Sequence, residues 1–250
     1  MPFRYELIGV ETLPEIRPGD DLGALLAQAA VRQGTPLGAG DVLVVCQKVV
    51  SKAEGRLIRL DDVVPSPPAR EMAIDLAKDP RLVEIILRET RQVIRMDKGI
   101  LVVETRHGLV CANAGVDRSN VDVDTACLLP EDPDRSAEAL RAGLHRLVGH
   151  DVPVIVTDTF GRPWREGLVN VAIGVAGLRP LRSYLGERDP AGNVLQATVI
   201  ALADELAAAA EPVMGKLARI PAAIVRGLEW ERGEGSAREL LRDPSRDLFR

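Results

Sequence analysis

Long apolar runs are missing from this 250-residue chain: none reaches the about 18 residues that a membrane-spanning helix requires. The opening MPFRYELIGVETLPEI also lacks the apolar core of a secretory signal, so the expected location is the cytoplasm, with no membrane partner. An excess of positive charge is missing as well. Lys and Arg number 32 against 37 Asp and Glu, for a net charge of -5 and a pI near 5.4, which leaves no basic field to hold a nucleic-acid backbone. Cysteine is sparse and odd in number; Cys46, Cys111 and Cys127 lie apart in apolar stretches and read as buried thiols of a reducing compartment, with a catalytic thiol a distant second. Histidine is equally sparse. His107, His145 and His150 are scattered, the last two on a helix and at its end, where surface or capping roles are commoner than metal ligation. GxxxxGK[ST], GxGxxG after a strand, paired CxxC and HExxH are all absent, which disfavours conventional P-loop and Rossmann assignments.

What is present describes a folded protein. Hydrophobic residues make up 46% and charged residues 28%, far from a disordered composition. The length suits one large domain or two small intertwined ones. With no repeat, linker or clean boundary, residues 1–250 are read as a single unit. Asp20 or Asp21 can cap a helix over LGALLAQAAVRQG, whose Leu22, Leu25, Leu26 and Ala29 make one apolar stripe. DVLVVCQ at 41–47 is a short, Val-rich run suited to a strand buried on both faces. Residues 69–95 are helical by period, broken at Asp79-Pro80. GILVVET and GLVCANAG flank Arg106, His107 and Gly108 as a hairpin. A helix over 136–147, the strand VPVIVTD, a polar loop, the stretch LVNVAIGVAG, a helix over 196–217 and a last strand in IPAAIVRGL complete the chain. Interspersed helices and strands, with hairpins as well as crossovers, predict a mixed α+β fold.

Three polar clusters follow apolar strand candidates, where α/β proteins tend to place ligands. CQKVVSKAEGR brings Gln47, Lys48, Ser51, Lys52 and Glu54 together; its ammonium groups suit phosphate oxygens, and a solvated turn is the plainer alternative. NAGVDRSN offers Asn113, Asp117, Ser119 and Asn120, hard oxygens for Mg²⁺ or Mn²⁺, or else a hairpin exit with an Asx turn. TDTFGRPWREG places Thr157, Asp158 and Thr159 at a strand end and crowds Arg162, Trp164, Arg165 and Glu166 into a loop. That set suits a metal and a polyphosphate or carboxylate, or an internal ion pair that pins the loop. Three such clusters in one chain favour the functional reading.

Taken in order, LPEI at 13–16, VLVVCQKVVSKAEGR, NAGVDRSN, TDTFGRPWREG with AIGVAG, and ADELAAAAEPVMGK before IPAAIVRGL resemble the coenzyme F420-0:L-glutamate ligase family. These are γ-glutamyl ligases that build the tail of a deazaflavin redox coenzyme. The resemblance covers almost the whole chain. It implies an α+β fold of two intertwined subdomains, unlike P-loop and Rossmann folds, assembled as a homodimer. GTP is the implied nucleotide, Mn²⁺ or Mg²⁺ the implied metal and K⁺ a further cation. F420-0 and L-glutamate are the implied substrates. By position, the resemblance assigns nucleotide binding to Leu13, Pro14, Glu15, Ile16, Gln47, Lys48, Lys52 and Asn120, with Met214, Gly215 and Lys216 after the last long helix. It assigns the metal to Asp117, Asp158 and Thr159, and catalysis to Asp117, Asp158 and Lys52. One departure stands out. Some members present an acidic residue and a Gly-rich loop to a second metal, whereas MGKLARIP puts Lys216 at about that point; either Lys216 replaces part of that charge on the phosphates or the second site is absent.

The implied reaction phosphorylates the acceptor's carboxylate with GTP and lets the amine of glutamate displace phosphate from the acyl phosphate. A metal-dependent phosphohydrolase and a non-catalytic nucleotide-binding subunit are the alternatives that the same residues allow.

Overall fold

The computed structural model describes residues 3–247. Its first half runs β1 (Glu6–Gly9), α1 (Leu22–Arg32), β2 (Val42–Cys46), α2 (Gln47–Ala53), β3 (Leu57–Arg59), α3 (Pro67–Leu76), α4 (Pro80–Glu89), β4 (Thr90–Asp97), β5 (Ile100–Thr105) and β6 (Val110–Ala112). The second half adds β7 (Thr125–Cys127), α5 (Pro133–Val148), β8 (Val154–Arg162), β9 (Arg165–Ala176), β10 (Arg182–Ser183), β11 (Val199–Ile200), α6 (Leu202–Met214) and β12 (Ala222–Arg226). Among the described residues, no helix is long and apolar enough to cross a membrane.

The central sheet has the order β1-β12-β2-β8-β9. Only β2 and β8 pair in parallel, so the sheet is mixed, in keeping with an α+β class. The Val-rich run of β2 shows why it lies at the centre. Successive side chains point to opposite faces: Leu43 and Val45 pack with Leu26, Ala29 and Ala30 of α1 and Ala137 and Leu144 of α5, while Val42 and Val44 pack with Leu206, Ala207 and Ala210 of α6. Helices therefore cover both faces, and β2 has no polar side.

Residues of α3, α4 and β5 make another apolar cluster around Ala69, Ala73, Val83, Ile86, Leu101 and Val103. A neighbouring one joins Leu60, Val63 and Ile85 to Ala126 and Leu128. In chain order this packing falls between α2 and α5, inside the larger arrangement. The β4-β5-β6 sheet and the β3-β7 pair belong to this inserted stretch.

Several expected elements lie where the sequence pattern puts them. Asp21 caps α1, its carboxylate accepting from Ala24 N at 2.9 Å. Asp79 caps α4 immediately after the expected break, and β5 pairs antiparallel with β6. Three elements differ. The helix expected through residue 95 ends at Glu89, because the Thr- and Val-containing segment from Thr90 pairs with β5 as β4. The last long helix is shorter than expected, Leu202–Met214, ending at Gly215 with φ 57°. The loop expected in TDTFGRPWREG is a hairpin: β8 and β9 continue past the sheet to pair Arg162 with Arg165, leaving Pro163 and Trp164 as the turn.

Gly174 of β9 shows how tightly α5 seats on the sheet. A Cβ at this position would lie 2.2 Å from the carbonyl oxygen of Pro133, in the first turn of α5. Backbone must then move on one side or the other. Gly174→Ala is expected to cost about 1–3 kcal/mol by overpacking, read as a lower denaturant midpoint at unchanged slope; an unchanged midpoint would mean that α5 is free to shift.

Candidate active site

Parallel pairing of β2 with β8 sets Cys46 opposite Thr157. The residues after each strand therefore emerge side by side. On one chain segment they start α2, with Lys48 in its first turn; on the other they are Asp158 and Thr159. Asp117 arrives from the inserted stretch, fixed by reciprocal backbone hydrogen bonds with Cys127 of β7.

Lys48 Nζ donates to Asp117 Oδ2 at 2.7 Å and to Ser119 Oγ at 2.8 Å. Ser119 in turn donates its backbone N–H to Asp117 Oδ1 at 2.7 Å, which holds the carboxylate in one orientation. Burial acts to raise the Asp117 carboxyl, but the hydrogen bonds from Lys48 and Ser119 outweigh it and hold the group below the usual Asp value. Asp158 behaves in the opposite way. Burial pushes its carboxyl up to about 6, and the charge of Asp117 adds to the rise, against lowering by the Thr159 N–H, Lys48 and Lys216. Two carboxylates thus share one electrostatic neighbourhood, one paired and one short of positive charge.

Lys52 lies one turn along α2 and forms an ion pair with Glu15. That contact, with the Gly19 N–H donating to Ala53 O at 2.8 Å, ties the LPEI segment to α2. Within the segment, Ile16 is buried in the core, Leu13 packs partly against it, and Pro14 and Glu15 are exposed. Gln47 is buried and accepts from Ser51 Oγ at 2.9 Å. Asn120 sits on an exposed turn with φ 56°.

Strand alternation separates Asp158 from Thr159. Val154, Val156 and Phe160 belong with the α1 and α5 side, and Asp158 shares their parity; Ile155 belongs with α6, and Thr159 shares its parity. Thr159 accordingly meets Lys216, which donates to its hydroxyl. Asp117, Asp158 and Lys48 gather on one side of β8. Thr159 and Lys216 lie on the other. Met214, the last residue of α6, is packed in the core, and Gly215 closes that helix. Arg162 folds back onto the backbone carbonyls of Glu166 and Gly167, bracing the hairpin. The residues missed by pattern alone are Asn170 and Glu211, which sit behind Thr159; an Asn in an apolar strand and a Glu on an Ala-rich helix carry no motif of their own.

Burial disfavours the thiolate form at all three cysteines, raising Cys111 to about 12 and Cys127 to about 11, so they stay protonated. Among the described residues, no group of three or more His, Cys, Asp or Glu side chains forms a metal cage. The donor set nevertheless fits Mg²⁺ or Mn²⁺: such ions are commonly held by one or two carboxylates, with water and phosphate oxygens completing the shell. A cation between Asp117 and Asp158 would also offset the charge of Asp117, which adds to the burial that raises Asp158.

Fold and site together describe an α+β protein that gathers two carboxylates and a lysine at one end of a mixed sheet. The chain belongs to the F420-0:Gamma-glutamyl ligase family, whose model matches residues 11–227, and it is a ligase. It is 51% identical over 253 residues to the coenzyme F420:L-glutamate ligase of Methanopyrus kandleri, covering 99% of this chain and 98% of that one. It is 49% identical to the protein of the same name from Methanothermobacter thermautotrophicus, covering 98% of each. With that of Methanocaldococcus jannaschii the identity is 41%, over 99% of this chain and 97% of the other.

The raised Asp158 carboxyl predicts a pH signature. Between the usual 3.8 and about 6 the folded chain keeps a proton that the unfolded chain has released, so this group's contribution to stability falls as pH rises through that window and is level above it. Asp158→Asn keeps the shape without the charge. Thermal melts should show that segment flattened, with the variant no less stable than the parent at pH 7; a large loss at pH 7 would mean that the surroundings favour the charged form.

Proposed function

We propose that this ligase joins L-glutamate to the phospholactyl carboxylate of coenzyme F420-0, and then adds γ-linked glutamates, with GTP as the source of activation. The observation that carries the reading is the contact of Lys48 with Asp117 beside an under-compensated Asp158, in a chain of this family. Such a centre suits a phosphate chain. The three relatives are named for F420 and L-glutamate, and each aligns over nearly its whole length.

The chemistry is dictated by the acceptor. A carboxylate is a poor acyl donor because oxide would have to leave. Its oxygen therefore attacks the γ-phosphorus of GTP, the bond to the bridging oxygen breaks, and GDP leaves with that electron pair. The amine of glutamate then attacks the acyl carbon and inorganic phosphate departs, giving the amide. Lys48 and Lys52, on one face of α2, would offset the charge that builds on the leaving nucleotide, and Lys216 would do the same from the far side of β8. Asp117 and Asp158 would hold the divalent cation, Mn²⁺ or Mg²⁺, which supplies charge neutralisation on the phosphates when bound. No covalent enzyme intermediate is required, which agrees with thiols held protonated.

Incubation with GTP, Mn²⁺, L-glutamate and F420-0 tests the reading. The expected product is heavier by one glutamyl unit for each GDP formed. Phosphate release that does not depend on glutamate would instead identify a phosphohydrolase, and nucleotide binding without products a non-catalytic subunit. Asp158→Asn should abolish turnover while the chain stays folded, and near-parental activity would remove Asp158 from the mechanism. Lys48→Ala should lower kcat by about 100-fold or more, as loss of one preorganised charge contact does elsewhere.

A further inference from the structure

Behind Thr159 lies a closed ring of polar contacts, two of whose members, Asn170 and Glu211, the reaction above leaves unused. Thr159 on β8 and Asn170 on β9 are direct cross-strand partners. Lys216 Nζ donates to Thr159 Oγ1, which donates its own proton to Asn170 Oδ1 at 2.7 Å. Asn170 Nδ2 donates to Glu211 Oε2 at 2.8 Å, and Glu211 Oε1 faces Lys216 Nζ at 3.6 Å. Asn170 is only 3% exposed, in a strand otherwise filled by apolar side chains at this depth.

The direction of each bond is set by chemistry. An ammonium group can only donate, and an ionised carboxylate can only accept. Glu211 therefore demands the NH₂ of Asn170, which turns Oδ1 toward Thr159. That oxygen takes the Thr159 proton, and the lone pairs of the hydroxyl are left to face the side where Lys216 stands. Without Asn170 the hydroxyl would rotate and could present its proton there instead.

We propose that Asn170, anchored by Glu211, is a positioning residue that keeps the Thr159 oxygen an acceptor at the phosphate end of the site. The inference rests on the reading of that site as a cation-dependent nucleotide centre. A hydroxyl oxygen with its proton committed elsewhere can face a divalent cation or an ammonium group; one that donates outward opposes either. Buried amides that orient the groups holding a metal are a recurrent way of tuning its affinity.

Mn²⁺ binding in the presence of GTP, read from loss of the free-ion electron paramagnetic resonance signal, tests this apart from activity. Asn170→Leu should weaken Mn²⁺ binding about 10-fold or more, the usual cost of losing such a partner. In a Thr159→Val background the same change should have no further effect, because the oxygen it orients is gone. Equal losses in both backgrounds would show that Asn170 acts only through packing and would overturn the proposal. The pair Asn170→Asp with Glu211→Gln reverses donor and acceptor between those two residues yet still offers Thr159 an acceptor. It should bind Mn²⁺ within a few-fold of the parent, and a folded double variant that loses binding would also overturn the proposal, even if Asn170→Leu does not fold. A parent protein that binds neither Mn²⁺ nor GTP would overturn the nucleotide-site reading along with this one, whereas parental binding unaltered in Asn170→Leu would overturn this one alone.

Discussion

Everything at the candidate site depends on the parallel pairing of β2 with β8. Antiparallel neighbours would send Lys48 and Asp158 to opposite ends of the sheet. Parallel pairing in the register Cys46 to Thr157 brings both strands to the same end together, so that the start of α2 and the tip of β8 meet. The pairing holds because the two strands are apolar on both faces and helices cover them from both sides. The driving force is burial of Val, Leu and Ile side chains, and the geometry of the polar groups is its consequence.

The electrostatics are set by that placement. Asp117 comes from a stretch packed around its own apolar clusters and is held by Lys48 across 69 residues of chain. Once it is there, its charge opposes ionisation of Asp158, while Lys48 and Lys216 favour it. Each group's protonation is therefore a property of the assembled set. A centre balanced in this way responds to an added cation or phosphate, since either changes what the neighbours must offset.

Beyond the sheet, β8 and β9 run on as a hairpin, and a strand that leaves its sheet exposes both faces at that end. Asp158 serves one face and Thr159 the other. An irregularity in pairing between Val156 and Thr157 lies just before this point. The extra residue there is Ile173 of β9, so alternation along β8 continues unbroken through Asp158 and Thr159. The site is accordingly spread across both sides of one strand, with α2 and Asp117 on one side and the end of α6 on the other.

Much of this was legible in the sequence. Capping by Asp21, the doubly buried β2, the break at Asp79-Pro80 and the β5-β6 hairpin are all dictated by local pattern, because backbone sterics and apolar periodicity act over a few residues. The lysine and aspartate clusters were visible as candidates, but each also suited a solvated turn, an Asx turn or an internal ion pair, so their residue types alone did not decide their use. Other features were not legible. That residues 90–97 form a strand depends on β5 as a partner, and that TDTFGRPWREG is a hairpin depends on the pairing of β8 with β9. Asn170 and Glu211 acquire a role only by facing Thr159. Sequence by itself determined which groups are available and which segments must be buried; tertiary structure decided which of those groups meet and with what charge, because contact across tens of residues is set by strand register and helix packing, which no local pattern encodes.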